Sequence, residues 1–216
     1  MQPSAPELAD DLAQVRDVLP LLTECLDLSD DLRAVETAQQ DLTGLDLSRL
    51  AARQVVFRDC RFSNASLSRC DLVDVVFQDC ELSNCDLSDG YLSRVQFLGC
   101  KAVGLRLTKA VCKDVRFDNC ALGYAGFAEA KLTRVLFDRC DLSEAALPRC
   151  RLKDCGFAQS NLTRAELFQT PLKGLDLRTC QIDGLLLSES MSELRGATVD
   201  LFQAARLAGR LGLIVE

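Results

Sequence analysis

Large apolar side chains recur at every fifth residue along most of the chain. Reading every fifth position from Leu42 to Leu187 gives thirty residues, of which twenty-seven are Leu, Phe or Ile. The positions two residues earlier, from Gln40 to Leu185, form a second regular set made mostly of Cys, Ala, Val and Leu. None of these sixty positions carries a charge, although forty charged residues lie between them in 41–190. The chain therefore repeats a unit of five residues.

A period of five fits neither an α-helix, which repeats every 3.6 residues, nor a plain strand, which repeats every two. It fits a short strand that ends in a corner, because residues two apart on a strand point to the same side. A second period of twenty residues indicates that four such sides complete one coil. Its members are Phe57, Phe77, Phe97, Phe117, Phe137 and Phe157, with parallel series of Val and Cys. The pattern predicts an all-β solenoid, a four-sided parallel β-helix of about seven to eight coils.

Short motifs within the repeat resemble those of the pentapeptide-repeat family, whose consensus is A(D/N)LXX. The clearest examples are Cys70-Asp71-Leu72, Cys85-Asp86-Leu87-Ser88, Cys140-Asp141-Leu142-Ser143 and Ser160-Asn161-Leu162-Thr163. The resemblance covers about 150 of the 216 residues, the uninterrupted frame of 41–190. It implies a right-handed quadrilateral β-helix.

The first forty residues differ from the repeats in charge and pattern. They hold nine acidic and two basic residues, which accounts for the whole net charge of −7. Ser4 and Glu7 have the spacing of a capping box, and apolar residues from Leu8 to Leu22 follow a helical period, so we expect a helix over 4–22. A second helix is expected over 29–38. Residues 1–40 are thus predicted to form an acidic helical cap over the first coil, or alternatively an acidic arm that binds a partner.

Residues 191–216 are predicted to form a C-terminal unit. Asp200 with Gln203 indicates a helix start, the helix should run to about Arg210, and Gly212 suits its end. The segment 203–215 resembles the C-terminus of the quinolone-resistance branch, the Qnr and mycobacterial type. That resemblance implies that a helix and short strand join two rods tail to tail in a homodimer; a capping helix without dimerisation is the alternative. The candidate interface residues are Leu201, Phe202, Ala205, Leu207, Ala208, Leu211, Leu213, Ile214 and Val215.

Composition excludes several kinds of chemistry. The chain has no His, so it has no imidazole base or ligand. Ten of the twelve Cys occupy the inward small-residue position of the repeat, and no two Cys have the CxxC spacing, so we expect reduced thiols packed in the core rather than disulfides or a metal site. We find no catalytic constellation and expect no enzyme activity and no cofactor. No apolar run is long enough to span a bilayer and no signal peptide is evident, so we expect a cytoplasmic protein.

The resemblance implies one concrete function, namely binding to DNA gyrase or topoisomerase IV by a rod that mimics DNA and protects the enzyme from quinolones or toxins. A general protein-interaction scaffold without topoisomerase activity is the alternative. The charge of 41–190 is balanced, and one side of the predicted rod is basic. Because no exposed aromatic residues accompany these bases, nucleic acid is the less favoured partner for that side. Its candidate binding residues are Arg53, Arg94, Lys113, Lys131, Arg134, Arg151, Lys153 and Lys173.

Overall fold

The computed structural model describes residues 2–210 and 212–214. It contains one parallel sheet of nine strands, two α-helices and a short 3₁₀ helix. Each long strand pairs with the strand twenty residues further on, so that Val55 lies beside Val75 and Val75 beside Val95. The elements are β1 (Ala13–Val15), α1 (Leu19–Leu28), β2 (Asp31–Ala38), β3 (Ala51–Arg58), β4 (Asp71–Gln78), β5 (Tyr91–Leu98), β6 (Val111–Asp118), β7 (Lys131–Asp138), β8 (Arg151–Lys153), β9 (Gly156–Ala158), the 3₁₀ helix (Ser192–Leu194) and α2 (Leu201–Arg210).

Four sides make up each coil, as the twenty-residue period predicts. A long strand such as β3 covers the first and second sides. Parallel bridges such as Asp41 with Arg61 and Asp46 with Ser66 form the third and fourth sides. The solenoid has about seven coils with a helix at each end, so the predicted fold is confirmed.

Left-handed backbone residues make the corners. From residue 34 to 169 a residue with positive φ recurs at nearly every fifth position, for example Gln54, Asp74 and Arg94 with φ of 51–58°. This conformation is unfavourable for most side chains but is tolerated by Asn and Asp and costs Gly little. Asn, Asp and Gly accordingly fill many of these corners, and Gly174 adopts φ +83° at one of them.

Phenylalanine rings stack along the axis of the core. The rings of Phe77, Phe97 and Phe117 are nearly parallel, with centroids 5.0 and 4.7 Å apart. Phe62 and Phe127 approach this stack edge-on from another side of the coil. Ring centroids about 4.5–7 Å apart are typical of favourable aromatic pairs, so the stack stabilises the contact between successive coils beyond simple burial.

Cysteines in the core also donate hydrogen bonds. The thiols of Cys80 and Cys100 lie 3.4 and 3.3 Å from the carbonyl oxygens of Phe57 and Phe77 in the preceding coil. Ser160 occupies the same column and donates its hydroxyl to the equivalent carbonyl, at 3.2 Å. All twelve cysteines are free and ten are buried. In this column the inward position therefore holds a small side chain with a hydrogen-bond donor, a role that the apolar pattern alone did not indicate.

The helix predicted over residues 4–22 is wrong. Residues 2–12 contain no helix or strand and form an arm, β1 follows, and the helix α1 begins only at Leu19, with a proline in its first turn. The less exposed positions recur every three residues, which is the period of a polyproline II chain rather than of an α-helix. Within the arm they are Pro3, Pro6, Ala9 and Leu12.

The second predicted helix, over 29–38, is also wrong. Ser29 ends α1 in a left-handed conformation, and Asp31–Ala38 is the strand β2. Leu32 and Thr37 continue the five-residue frame, and Thr37 is buried and donates its hydroxyl to the carbonyl of Val15 at 2.7 Å. Because Thr37 is polar, the pattern of apolar residues did not reveal this additional coil.

The last coil belongs to a C-terminal cap. Leu172, Gly174 and Leu177 donate their N–H groups to Glu193, Gly196 and Thr198 at 2.8 Å. Asp200 and Gln203 form the predicted capping box at the start of α2, with hydrogen bonds of 2.8 and 2.9 Å. The Gln203 side chain also donates to the carbonyls of Leu177 and Cys180, both at 2.8 Å, and so fixes α2 to the end of the core.

Candidate interaction surfaces

The basic side lies on the first side of the coil and the corner that follows it. Arg94 and Arg134 each form a bidentate pair with the acid twenty residues earlier, Asp74 and Asp114, at 2.5–2.7 Å. Arg53 pairs with Asp71. Three of the eight candidate bases are therefore neutralised within the rod. In the described part of the chain the other five make no ion pair within 4.0 Å; they are Lys113, Lys131, Arg151, Lys153 and Lys173.

The N-terminal arm, residues 2–12, runs along this corner. The backbone N–H of Ser4 donates to Asp114 at 3.2 Å, and that of Glu7 donates to Asp74 at 2.8 Å. The Gln54 side chain donates to the carbonyl of Glu7 at 3.1 Å. Three residues of a polyproline II chain advance about 9.3 Å, close to the two coils between the acids at about 4.8 Å each. The arm therefore matches the spacing of the solenoid and places Glu7 close enough to Arg94 for their charges to interact.

Hydrogen bonds hold the two corner acids in their charged form. The guanidinium of Arg134, helped by the N–H of Ser4, lowers the pKa of Asp114 to about 2. Burial acts to raise the pKa of Asp74, but the hydrogen bonds from Arg94 and from the N–H of Glu7 outweigh it, so the pKa lies below its usual value. Both carboxylates are thus acceptors for the arm at neutral pH. Along this corner, residues twenty apart alternate between acid and base, namely Asp74, Arg94, Asp114 and Arg134, and this alternation is visible in the sequence.

The C-terminal end exposes large apolar side chains. Leu201 and Phe202 are 81% and 79% exposed on α2, and Ile214 is 90% exposed in the tail. Leu213 is also exposed. Leu207 instead packs against the core, and Ala205 and Ala208 are half-buried.

The predicted interface thus falls into a covered part and an exposed part. Leu213 and Ile214 form no strand within the chain. Leu211 and Val215 lie outside the described residues. The exposed part of the candidate interface is therefore the start of α2 together with the tail.

Burial makes two of the core cysteines poor nucleophiles. Burial raises the pKa of the Cys85 and Cys112 thiols to about 12, so both are protonated at neutral pH and are poor nucleophiles. Within residues 2–210 and 212–214, no group of three or more Cys, Asp or Glu side chains is arranged to bind a metal ion. No helix in the same part of the chain is long and apolar enough to cross a membrane.

The fold and its surfaces define a class of protein: a parallel β-solenoid of five-residue repeats whose long sides carry charged and small polar groups. The family model described as the pentapeptide repeat region matches residues 31–102 and 75–145, which together span more than half of the chain. The chain belongs to the pentapeptide-repeat family. No protein of curated function matches it.

Several solved structures are similar to this chain. Full-length QnrB1, a plasmid-mediated fluoroquinolone resistance protein, is 19% identical over 85% of this chain and 91% of that chain, with a TM-score of 0.40. HetL, a pentapeptide-repeat protein involved in heterocyst differentiation regulation in the cyanobacterium Nostoc, is 16% identical over 85% and 95%, with a TM-score of 0.40. Rfr23 from the cyanobacterium Cyanothece is 14% identical over 84% and 99%, with a TM-score of 0.26.

Proposed function

We propose that this protein is a non-enzymatic, protein-binding rod that forms a homodimer through its C-terminal end. The exposure of Leu201, Phe202 and Ile214 carries this proposal. Elsewhere on the described surface, large apolar side chains are less exposed than these three; Tyr124, for example, is 63% exposed. Apolar residues gathered at one end of a rod favour association there, because their burial is stabilising at about 25 cal/mol per Å².

Light scattering coupled to size-exclusion chromatography tests the dimer. We expect twice the monomer mass at micromolar concentration for the natural chain and the monomer mass for Phe202→Asp. Tyr124→Asp is the matched control, because Tyr124 is an exposed aromatic residue on the side of the rod; it should leave the dimer intact. A natural chain that elutes as a monomer at tens of micromolar would refute dimerisation.

A second candidate is a DNA-mimicking partner of a type II topoisomerase, either gyrase or topoisomerase IV, that protects it from quinolones or toxins. Two observations favour it: the resemblance of the segment 203–215 to the quinolone-resistance branch, and the acidic arm that lies beside the basic side of the rod. The arm makes that side less positive, and the net charge of the chain is −7.

The gyrase supercoiling assay with ciprofloxacin separates the two candidates. A topoisomerase partner should inhibit supercoiling or restore it in the presence of the drug as the protein is titrated. If neither effect is seen at tens of micromolar, the general scaffold remains as the function.

We expect the protein to act in the cytoplasm under either proposed function, because a reducing environment keeps all twelve thiols free.

A further inference from the structure

The wall of the solenoid is open on two adjacent sides near its C-terminal end. In the six preceding steps, from β2 to β9, successive coils pair on the first and second sides. Within the described residues, no backbone hydrogen bond joins 151–158 to 171–178. The third and fourth sides stay paired there, through the bridges of Asn161 with Gln181 and of Glu166 with Leu186. We call the gap between 151–158 and 171–178 the seam.

A proline explains where the seam begins. In earlier coils the residue at the start of the first side donates its N–H to the carbonyl twenty-one residues before it, as Asp71 does to Leu50 at 3.0 Å and Arg151 to Ala130 at 2.9 Å. Pro171 occupies the next equivalent position and has no N–H to donate. Residues 171–178 pair with the C-terminal segment through their opposite edge, and the edge of β8 and β9 that faces them stays free.

The seam gives access to a groove beside that edge. One cavity of about 390 Å³ lies on the first side and includes Leu152 and Pro171 in its lining. A second, of about 450 Å³, lies on the second side and includes Cys155. Leu152 and Cys155 are half-buried, whereas the equivalent Leu132 and Val135 of the previous coil are buried. Part of the apolar core is therefore reachable from outside.

The first cavity is basic. Lys131, Arg151 and Lys153 line it, no carboxylate does, and these three bases make no ion pair with the described residues. Two carboxylates line the second cavity: Asp176 is paired with Arg178 at 2.7 Å, and Asp154 makes no ion pair within 4.0 Å with the described residues, so the positive charge is confined to the first side. An occupant of the seam therefore meets positive charge on the first side.

We propose that the seam is a strand-addition site for an extended, acidic peptide segment of a partner protein. The backbone of the peptide pairs with the free edge of β8 and β9, and its carboxylates contact Lys131, Arg151 and Lys153. Unpaired strand edges are the established template for this mode of recognition, in which main-chain hydrogen bonds give affinity and side chains give specificity. This site names a partner class for the protein-binding rod and rests on that proposed function.

Fluorescence anisotropy with synthetic peptides tests the charge preference. The probe is a labelled nine-residue peptide of alternating threonine and glutamate; the comparison is the same peptide with lysine for glutamate. We expect the acidic peptide to bind at least about tenfold more tightly than the basic one, and Lys153→Glu to weaken its binding by at least about tenfold. Absence of binding up to millimolar peptide, equal binding of both peptides, or an unchanged affinity of the Lys153→Glu variant would overturn the proposal.

Two further experiments test strand pairing itself. An acidic peptide N-methylated at alternate residues lacks half of its N–H donors and should lose most of its affinity. Pro171→Asp restores a donor at the position where Asp71 has one, so it should close the seam and weaken peptide binding by about tenfold. Pro148→Asp, on the fourth side, is the matched control and should bind normally. Equal binding of the methylated peptide would overturn strand addition even if Pro171→Asp does not fold.

The result is separable from that of the dimer test. Peptide binding is measured on the full chain, whose mass by light scattering reports on the C-terminal end independently. If the protein is a dimer but binds no peptide, the seam site is refuted and the proposed function as a protein-binding rod is not. A monomer that binds the acidic peptide with the expected preference would support the seam and refute only dimerisation.

Discussion

At the scale of single residues, the core depends on identical side chains stacked in register. Phe97 lies between Phe77 and Phe117, with ring centroids 5.0 and 4.7 Å away, and is fully buried. Each ring thus contributes to two contacts between coils. Because a repeat protein is stabilised mainly by contacts between neighbouring units, a defect in one ring weakens the connection on both of its sides.

Truncation of Phe97 should therefore be costly. We expect Phe97→Ala to lower the free energy of unfolding by about 3–5 kcal/mol, since it leaves a cavity between two coils. Phe97→Leu, which preserves much of the volume, should cost less than about 2 kcal/mol. Urea unfolding followed by circular dichroism measures both. Equal stabilities of the two variants would show that the ring stack does not determine the stability of the coil.

At the scale of elements, the N-terminal arm is held by its backbone rather than by its charges. The N–H groups of Ser4 and Glu7 reach the carboxylates of Asp114 and Asp74. Replacing both acids by Ala should release the arm and raise its rate of cleavage by Glu-C protease at Glu7 by at least about tenfold, since each hydrogen bond to a charged group contributes roughly 1.5 kcal/mol or more. Asp89→Ala removes an acid from another left-handed corner and should not change the rate. Unchanged cleavage in the double variant would mean that the arm is held by other contacts.

The same contact predicts a dependence on pH. The pKa of Asp114 is lowered from 3.8 to about 2 in the folded chain by the hydrogen bond from Arg134. A group with a lowered pKa stabilises the fold above its unfolded value, and this contribution is lost as the pH falls through the folded pKa. We expect the melting temperature of Asp114→Asn to lie below that of the natural chain at pH 5, and the difference to shrink between pH 4 and pH 2. A difference independent of pH would contradict this assignment.

Sequence patterns predicted the repeated elements far better than the ends. The position of Phe97 follows from a period of twenty that any copy of the coil reveals. The arm was misinterpreted because Leu8, Leu12 and Leu19 satisfy a helical period, while the actual period of three depends on docking to a corner that only the folded solenoid provides. Pro171 was visible in the frame, but its effect was not, because the pattern does not show which coil the segment 171–178 pairs with.

At the scale of the whole molecule, the seam separates the rod into two parts. Fewer backbone hydrogen bonds join these two parts than join successive coils elsewhere. Within the described chain, 31–169 is paired on four sides of nearly every step, whereas backbone–backbone hydrogen bonds join the cap that begins at Pro171 to it only on the third and fourth sides. Because stability in a solenoid is approximately a sum over neighbouring interfaces, the weakest interface determines where unfolding begins.

The cap should therefore unfold before the rest of the rod. We expect hydrogen exchange followed by mass spectrometry, at urea concentrations below the main transition, to show peptides from 171–210 exchanging while those from 91–138 stay protected. Pro171→Asp supplies the missing N–H and should bring the two regions closer to a single transition, whereas Pro148→Asp should not. Simultaneous exchange of both regions in the natural chain would mean that pairing on two sides couples the cap to the rod as strongly as pairing on four sides couples the other coils. The seam would then be a local opening of the wall and not a boundary between cooperative units.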